Sequence, residues 1–297
     1  MIYTYLEGRL GNCLFEIAAG ASLAKRMNVP FKALTCSSIY IPKYVIEMSE
    51  YVKPFRQSIL RNIDFSDEYP KNQKIYQEPD STYKPLPEET DLLLKGYFQS
   101  EKYFEEELVR ELFSIDIEMA TYLHNKYGHV LARDPVSIQV RRGDYQKYRH
   151  VYPICQMSYY KKAMSNFPPD TVFLVMSDDV GWCRKHFRGN NFFFSDEESP
   201  VIDLYLQSFC RHNIISNSSF GWWGAWLNPD IKKKVICPTP WFTSVSKLNA
   251  QDLCPVTWIK EPVEGTISLF IKTRFYWGMN EIKNKIRCIR QKYNQSK

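Results

Sequence analysis

Two adjacent arginines, Arg141 and Arg142, directly follow the apolar stretch 136–140, which is typical of a buried strand. Their guanidinium groups are planar and carry several N–H donors, a geometry that suits the oxygens of a diphosphate. Asp144 follows closely and either orients one of the arginines or holds a substrate hydroxyl. The alternative is an ion-pair cluster on the surface. The position of the pair at a strand end favours a diphosphate site.

Two further strand ends carry residues suited to a nucleotide. Gly8, Arg9 and Gly11 lie between the first strand and a helix, where backbone N–H groups either approach an anion or form a tight packing turn. Asp178 follows the strand at 171–177, and its carboxylate either accepts hydrogen bonds from a ribose or a base or caps the next helix. A binding role and a structural role are open at both ends.

A run of amide, hydroxyl and aromatic residues, Asn217, Ser218, Ser219 and Phe220, opens a tryptophan-rich helix. Hydroxyl and amide groups at the start of a helix either make a phosphate nest or cap the helix. Three tryptophans within five positions are more ring area than core packing alone needs. This excess favours a binding role for the two serines.

The elements that must position these residues are short apolar strands alternating with helices. In the second half we expect strands at 136–140, 171–177, 192–194, 213–216 and 234–237. In the first half we expect strands at 2–6, 31–34 and 91–97, helices at 12–27 and 100–113, and long surface loops at 64–90. The alternation predicts parallel βαβ units, whose ligands bind beyond the carboxyl ends of the strands. With 297 residues, the chain is long enough for two domains, and we place their boundary between 115 and 135.

The basic residues are concentrated at the C-terminus. Eight Lys or Arg and one acid fall in 266–297, against a net charge of +6 for the chain, so the main body is nearly neutral. This distribution argues against a nucleic-acid binder. The tail interleaves apolar and basic residues and either packs on the body or lies on an anionic membrane surface. With no signal peptide and no membrane span in the sequence, we expect a cytoplasmic protein, peripheral on the cytoplasmic membrane face if the tail binds there.

No pattern in the sequence is typical of a metal site. The eight cysteines include no CxxC pair, which indicates free thiols, and the five histidines lack ligand spacing. There is also no Asp-x-Asp, the pair that commonly holds the divalent ion in metal-dependent nucleotide-sugar enzymes. We therefore expect no metal and no cofactor, with arginines neutralising the diphosphate.

Taken together, these stretches resemble the α-1,2-fucosyltransferases of glycosyltransferase family 11. The matching segments run in order along the chain at 8–12, 96–104, 140–145, 176–179 and 217–225. The resemblance implies an α/β, GT-B-like fold, in which two Rossmann-like domains hold the active site in the cleft between them. It implies an N-terminal acceptor-side domain at 1–125 and a C-terminal donor domain at 126–265, leaving a basic amphipathic tail at 266–297.

The resemblance also implies a reaction and a set of site residues. The donor would be GDP-β-L-fucose, and fucose would be transferred with inversion and without a metal, commonly to O2 of a terminal galactose on a glycan. Surface polysaccharide or O-antigen synthesis is the matching process. The expected catalytic residues are Arg141, Asp144 and Asn12. The expected donor-binding residues are Gly8, Arg9, Gly11, Gln139, Arg142, Asp178, Asn217, Ser218, Ser219 and Phe220.

The resemblance assigns parts of the donor to several of these side chains. Arg141 and Arg142 would hold the pyrophosphate, with Ser218 and Ser219 on its oxygens. Asp178 would lie near the guanosine. Asn12 would face the fucose and the leaving phosphate across the cleft.

The sequence departs from the family pattern in three places. Gln139 stands where histidine is usual, Cys13 and Glu16 where glutamine is usual, and Gly221 where serine is common. The general base stays open among Asp144, Glu16 and His150, and Asp144 is equally suited to a purely structural role. Two other functions also stay open: transfer from another nucleotide sugar or to another acceptor, and a non-catalytic nucleotide- or glycan-binding relative.

Overall fold

The chain, seen in a computed structural model that describes residues 1–41, 44–195 and 198–263, folds into two parallel sheets, one from each half. The strands of the first half are β1 (Ile2–Tyr5), β2 (Phe31–Leu34), β3 (Ser38–Ile41), β4 (Tyr44–Glu47), β5 (Phe65–Ser66), β6 (Lys74–Gln77) and β7 (Leu92–Lys95). Its helices are α1 (Leu10–Arg26), α2 (Met48–Val52), α3 (Glu106–Leu112) and α4 (Ile117–Leu131). Five strands form a parallel sheet in the order β5-β2-β1-β7-β6, and β3 and β4 form a separate antiparallel hairpin.

The second half builds a larger sheet of the same kind. Its strands are β8 (Val136–Val140), β9 (Phe173–Ser177), β10 (Phe192–Phe194), β11 (His212–Ile214), β12 (Val235–Thr239) and β13 (Ile259–Pro262). Its helices are α5 (Met157–Met164), α6 (Val180–His186), α7 (Pro200–Ser208) and α8 (Ser219–Leu227). All six strands are parallel, in the order β10-β9-β8-β11-β12-β13.

Helices α1 and α8 join the two halves through an apolar core. The Phe15 ring of α1 lies 4.5 Å from the ring of Trp222 and 4.8 Å from that of Trp223, measured between centroids. Both tryptophans are fully buried, and the indole N–H of Trp223 donates to the carbonyl oxygen of Gly11 at 2.9 Å. Both helices are apolar on most sides because each is covered by its own sheet and by the other half. The tryptophans of α8 are therefore structural, and they hold the two halves of the chain against each other.

The structure confirms the predicted GT-B-like α/β architecture of two parallel sheets with a cleft between them. The predicted boundary after residue 125 falls inside α4, a helix that the sequence reading did not place. The stretch 64–90, predicted as loops, contains the strands β5 and β6. The helix predicted at 100–113 is interrupted, because the backbone N–H of Glu105 donates to the Ser22 hydroxyl and α3 begins only at the next residue.

Further predictions concern the cysteines and contact with a membrane. The cysteines that the structure describes are free, as predicted. Among the described helices, none is long and apolar enough to cross a membrane. The tail at 266–297 lies outside the described residues, so its predicted structure and membrane contact stay predictions.

Candidate active site

A cleft of about 1230 Å³ lies between the two halves. Residues of the first half form its N-terminal wall, and residues of the second half form its C-terminal wall. Its floor comes from loops that follow the parallel strands β1, β7, β8, β9 and β11 at their carboxyl ends. Nearly all of the predicted site residues line it. The exceptions among the predicted residues are Arg142 and Asn217. Parallel strands thus bring together residues far apart in the sequence, as the fold class predicts.

Arg141 is the central cation of the cleft. Its Nη2 lies 2.7 Å from Oδ1 of Asp144, and its Nη1 lies 2.9 Å from Oδ2 of Asp178. These two contacts occupy two of the five N–H donors of the guanidinium. The remaining donors stay available to an anion, while the two carboxylates hold the group in one orientation. Gly143 permits this arrangement, because a Cβ there would lie 2.5 Å from Oδ2 of Asp178.

Asp144 also links the two walls of the cleft. Its Oδ2 lies 3.0 Å from Nη2 of Arg9, which stands at the start of α1 in the other half. Both oxygens of Asp144 are therefore engaged with guanidinium groups. The geometry gives Asp144 the orienting role that the sequence left open, since it positions Arg141 and ties it to Arg9.

A second contact across the cleft joins Asn12 to Ser219. The hydroxyl of Ser219 donates to Oδ1 of Asn12 at 2.7 Å, and Nε2 of Gln99 donates to the same oxygen at 2.9 Å. Gly11 makes this approach possible, because a Cβ at Gly11 would lie 2.5 Å from the backbone nitrogen of Phe220. The glycine turn at Gly8–Gly11 was predicted either to approach an anion or to serve packing. In the structure, Gly11 packs closely against the first turn of α8.

The first turn of α8 provides the second anion-binding feature of the cleft. Ser218, Ser219 and Phe220 line the cavity there. The first backbone N–H groups of an α-helix have no partner within the helix, and its dipole favours negative charge at this end. No side-chain cap from Ser218 satisfies these groups. Arg141 and the start of α8 therefore form a candidate phosphate site on the C-terminal wall.

Arg142 and Asn217 are placed differently from the prediction. The guanidinium of Arg142 turns away from the cavity, with its Nε 3.4 Å from Asp179 and its Cζ 4.0 Å from the ring centroid of Trp182. Its backbone N–H donates to Asp178 at 2.9 Å. Stacking on Trp182 keeps the Arg142 side chain out of the cavity lining, and its contact with the pyrophosphate stays a prediction.

Asn217 is buried, and its side-chain amide and backbone carbonyl are hydrogen-bonded within the C-terminal half. Its Nδ2 donates to the carbonyl oxygens of Pro153 at 2.9 Å and of Trp241 at 3.0 Å. Its own carbonyl oxygen accepts from the hydroxyl of Tyr145 at 3.0 Å. Asn217 therefore fixes the loop before α8 and is not among the residues that line the cavity, and its contact with the donor stays a prediction.

Two of the departures from the family pattern are in contact. Oε1 of Gln139 accepts from the hydroxyl of Ser216 at 2.6 Å. A Cβ at Gly221 would lie 2.6 Å from that same oxygen. The glycine thus leaves room for the amide of Gln139, and a serine there would collide with it. Gln139 lines the cavity from this fixed position.

The two other candidates for the general base do not line the cleft. Glu16 is fully buried in α1, and burial raises its pKa well above the ordinary value. Its Oε2 accepts from the backbone N–H of Glu7 at 2.9 Å, which makes Glu16 a support for the glycine turn. His150 also lies outside the cavity lining.

Several residues of the cleft were not found from the sequence. Tyr145 and Tyr152 stack with 4.3 Å between ring centroids and an angle of 12°, and Cζ of Arg141 lies 5.3 Å from the Tyr145 ring centroid. The hydroxyl of Tyr51 accepts from the backbone N–H of Leu10 at 3.0 Å, and burial raises its pKa to about 12. Glu78 reaches the cavity from the N-terminal wall. For the tyrosines the sequence signals were the high aromatic content, 15% of the chain, and, for Tyr145, its place in the matching segment 140–145. No signal pointed to Glu78.

Two acids line the part of the cleft near the start of α7: Asp203 in its first turn and Glu198 two residues before the helix. Burial raises the pKa of Asp203 to about 7, although the hydroxyl of Ser195 donates to it. The pKa of Glu198 is lowered by its contacts with Lys126, Tyr127 and Tyr122, which outweigh its burial. In the part of the chain that the structure describes, no group of three or more His, Cys, Asp or Glu could hold a metal ion. Metal-independent transfer stays a prediction.

Comparison with known proteins places this site in a family. The chain is 35% identical over 182 residues to "Alpha-1,2-colitosyltransferase" from Escherichia coli, across 56% of this chain and 61% of that protein. It is 26% identical over 296 residues to "O-antigen biosynthesis glycosyltransferase WbnK" from the same species, across 83% of this chain and 96% of that protein. A mouse relative, "Galactoside 2-alpha-L-fucosyltransferase Sec1", is 36% identical over 106 residues, which is 31% of this chain and 28% of that protein.

One solved structure and one family complete the comparison. The fucosyltransferase NodZ from Bradyrhizobium superposes with a TM-score of 0.49 at 14% identity, over 78% of this chain and 96% of that chain. The model of the family "Glycosyl transferase family 11" matches residues 1–261, which include every residue of the cleft. The chain therefore belongs to glycosyl transferase family 11.

Proposed function

We propose that this protein transfers an L-fucose-type sugar from its GDP ester to a hydroxyl of a glycan, with inversion and without a metal ion. The observation that carries the proposal is the pairing of Arg141 with the first turn of α8 at the floor of a cleft between two parallel sheets. The two features present fixed positive charge and unsatisfied N–H groups to one region. That combination suits a diphosphate leaving group.

The nucleoside is expected to be guanosine. Guanine presents N–H donors at N1 and at its exocyclic amine, and carboxylates accept from such groups. Asp178, directly after β9, and Asp203, in the first turn of α7, supply carboxylates to the cleft. The family resemblance points to the same nucleotide. Uracil has a single N–H and fits this acidic surface less well.

The sugar is expected to be fucose or its 3-deoxy analogue colitose. The names of the bacterial colitosyltransferase and the mouse fucosyltransferase supply these two alternatives. The identity to the colitosyltransferase extends over more of the chain than that to the mouse fucosyltransferase, whereas the ordered sequence segments resemble those of the α-1,2-fucosyltransferases. The acceptor hydroxyl is expected to be O2 of a terminal galactose, in keeping with the name of the mouse relative.

The proposed chemistry is a single displacement at the anomeric carbon. The C1–O bond to the β-phosphate breaks as the acceptor oxygen approaches from the opposite face, and negative charge develops on GDP. Arg141 and the start of α8 stabilise that charge from a fixed position, and preorganised groups of this kind supply the largest part of many rate enhancements. The acceptor approaches from the N-terminal wall, whose lining comes mainly from a hairpin and from loops.

The proposed setting is the cytoplasmic side of surface polysaccharide assembly. The name of the second E. coli relative supports a role in O-antigen synthesis. The basic tail at 266–297 would hold the enzyme near anionic lipid, where lipid-linked glycans are built. Vesicle co-sedimentation of the full chain and of a chain ending at residue 265 tests this part, and equal binding by both forms would contradict it.

The reaction is tested by incubating the protein with GDP-β-L-fucose or GDP-colitose, a galactoside acceptor and excess EDTA. Release of GDP and the product mass are followed, and the anomeric proton signal gives the linkage. An α-linked product from one of the two donors supports the proposal, and its formation in EDTA supports metal independence. UDP-galactose is the control donor. Transfer from UDP-galactose, or GDP binding with no product from any GDP-sugar, would contradict the proposal.

A further inference from the structure

Glu78 places a carboxylate in the cleft, and this carboxylate has no role in binding or stabilising the GDP leaving group. It directly follows β6 and lines the cavity from the N-terminal wall. It is half-buried, and no cation is paired with it in the part of the chain that the structure describes. It therefore differs from Asp144 and Asp178, which are engaged by arginines.

The carboxylate of Glu78 is held in place by backbone groups. Its Oε2 accepts from the N–H of Tyr97 at 2.8 Å and from the N–H of Phe98 at 3.1 Å. Gly96 has a φ of +143°, and a Cβ there would lie 2.7 Å from the same oxygen. One carboxylate oxygen is thus fixed by two hydrogen bonds, and Oε1 has no hydrogen bond to the described residues and is not buried.

The loop that holds Glu78 leads directly to the contact between the walls. Tyr97 lines the cleft, and Gln99, two residues later, donates to Asn12. Asn12 in turn accepts from Ser219 at the start of α8. Glu78 and the phosphate site therefore face the same cavity from opposite walls.

We infer that Glu78 is the general base that accepts the proton of the acceptor hydroxyl, an inference that rests on the proposed function. In an inverting displacement the acceptor and the leaving group stand on opposite faces of the anomeric carbon. Arg141 and α8 place the leaving group on the C-terminal wall, so the base belongs on the N-terminal wall. Asp144 stands beside Arg141 on the leaving-group side, and both of its oxygens are occupied.

The step balances with the groups present. The acceptor O–H bond breaks and its proton passes to Oε1 of Glu78. The acceptor oxygen forms the bond to C1, and the electron pair of the C1–O bond leaves with GDP. Solvent then removes the proton from Glu78. General-base catalysis of this kind contributes about 10²–10⁴-fold to a rate.

Neighbouring groups favour a carboxylate that accepts a proton readily. Burial and the charge of Asp80 raise the pKa of Glu78, against the two backbone hydrogen bonds that lower it. The charge of Glu78 in turn raises the pKa of three neighbouring groups, Glu16, Tyr76 and Tyr103. None of them is a cation.

Glu78→Gln is the decisive variant, because its amide oxygen still accepts both backbone N–H groups while the basic oxygen is lost. We expect the kcat for transfer to fall about 10²–10⁴-fold, with the dissociation constant for GDP unchanged. The wild type should lose activity at acid pH as Glu78 takes up a proton, and this acid limb should be absent from the residual activity of the variant. Glu7→Gln is the matched control, because Glu7 is an exposed acid that also lines the cavity from this wall.

The outcomes separate the role of Glu78 from the proposed function. A Glu78→Gln enzyme that keeps most of its kcat, or a larger loss in Glu7→Gln, overturns the assignment while the reaction stands. A loss of GDP binding in Glu78→Gln also overturns it, because the residue then serves the donor site. A wild-type protein that transfers no sugar from any GDP-sugar overturns the proposed function, and the assignment falls with it.

Discussion

The two walls of the cleft are built in different ways. On the C-terminal wall, buried polar side chains are held by contacts within their own half, as Asn217 is by Pro153 and Trp241 and Gln139 by Ser216. On the N-terminal wall, the lining comes from a hairpin and short loops, and it includes Tyr40 and Tyr97, with 61% and 42% exposed surface. The difference indicates a rigid surface for a constant leaving group and an open one for the acceptor. Preorganisation on the first wall suits charge stabilisation, which requires groups that do not move during reaction.

The largest expected effect comes from removing the cation of the rigid wall. Arg141→Ala should lower the kcat for sugar transfer by about 10²–10³-fold or more, because the charge on departing GDP loses its fixed partner. Arg149→Ala is the matched control from the same loop, exposed and outside the cavity lining. Steady-state transfer assays measure both. Comparable activities in the two variants would show that the walls do not differ in the way described.

The next effect concerns the contact that holds the walls together. Gly11→Ala places a methyl group 2.5 Å from the backbone nitrogen of Phe220, and neither backbone can move without shifting α1 against α8. We expect the free energy of unfolding to fall by about 1–3 kcal/mol, with a loss of transfer activity. Denaturant unfolding measures the change.

Gly128→Ala is the control for this substitution. Gly128 lies within α4, and a Cβ there meets no atom within 4 Å. A helix-interior alanine should raise the free energy of unfolding by up to about 1 kcal/mol relative to glycine. If Gly11→Ala behaved in the same way, the close packing of the walls would be refuted.

The smallest expected effect lies beneath the N-terminal wall. The raised pKa of Glu16 means that the folded protein holds a proton that the unfolded chain releases above a pH of about 4.3. Its contribution to stability is therefore full below that pH and declines as pH rises toward the folded-state pKa. Glu16→Gln should remove this decline, so the variant gains relative to wild type by up to about 1.4 kcal/mol per pH unit within that interval.

Unfolding in denaturant at several pH values from 4 upward tests this expectation. Glu88→Gln, an exposed acid of the same half, serves as the control. Parallel pH profiles for wild type and Glu16→Gln would mean that the carboxyl group is ionised in the fold.

The C-terminal half could be predicted closely from the sequence, whereas in the N-terminal half β1, β2, β7 and α1 were predicted and β3 to β6 were not. Strands β9 and β12 are nearly continuous apolar runs, and β8 is buried along its whole length, because both faces of a parallel sheet are covered. Strand β6 is an exposed edge strand with charged and polar residues, and β13 is an edge strand of similar composition. Such strands carry no apolar run to find. Helix α4 was missed because its apolar face is narrow, with three buried residues.

The site residues show the same pattern, since those that follow predictable strands could be found from the sequence. Arg141, Asp144, Asp178 and the serines of α8 were found because they follow predictable strands. The orientation of Arg142 depends on stacking with Trp182, a contact that spacing along the chain does not reveal. Glu78 was missed because it lies in an irregular segment and reaches the cleft through Tyr97 and Phe98, about 20 residues away in sequence.

The most direct test of the account is the affinity of the cleft for nucleotides, measured by isothermal titration calorimetry. GDP, UDP and inorganic phosphate would be titrated into the wild type and into Arg141→Ala, in EDTA. We expect GDP to bind at least about tenfold more tightly than UDP, and Arg141→Ala to weaken GDP by at least about tenfold, a difference of about 1.4 kcal/mol in each case. Equal affinities for GDP and UDP, or unchanged GDP binding in Arg141→Ala, would contradict a guanosine diphosphate site on the C-terminal wall.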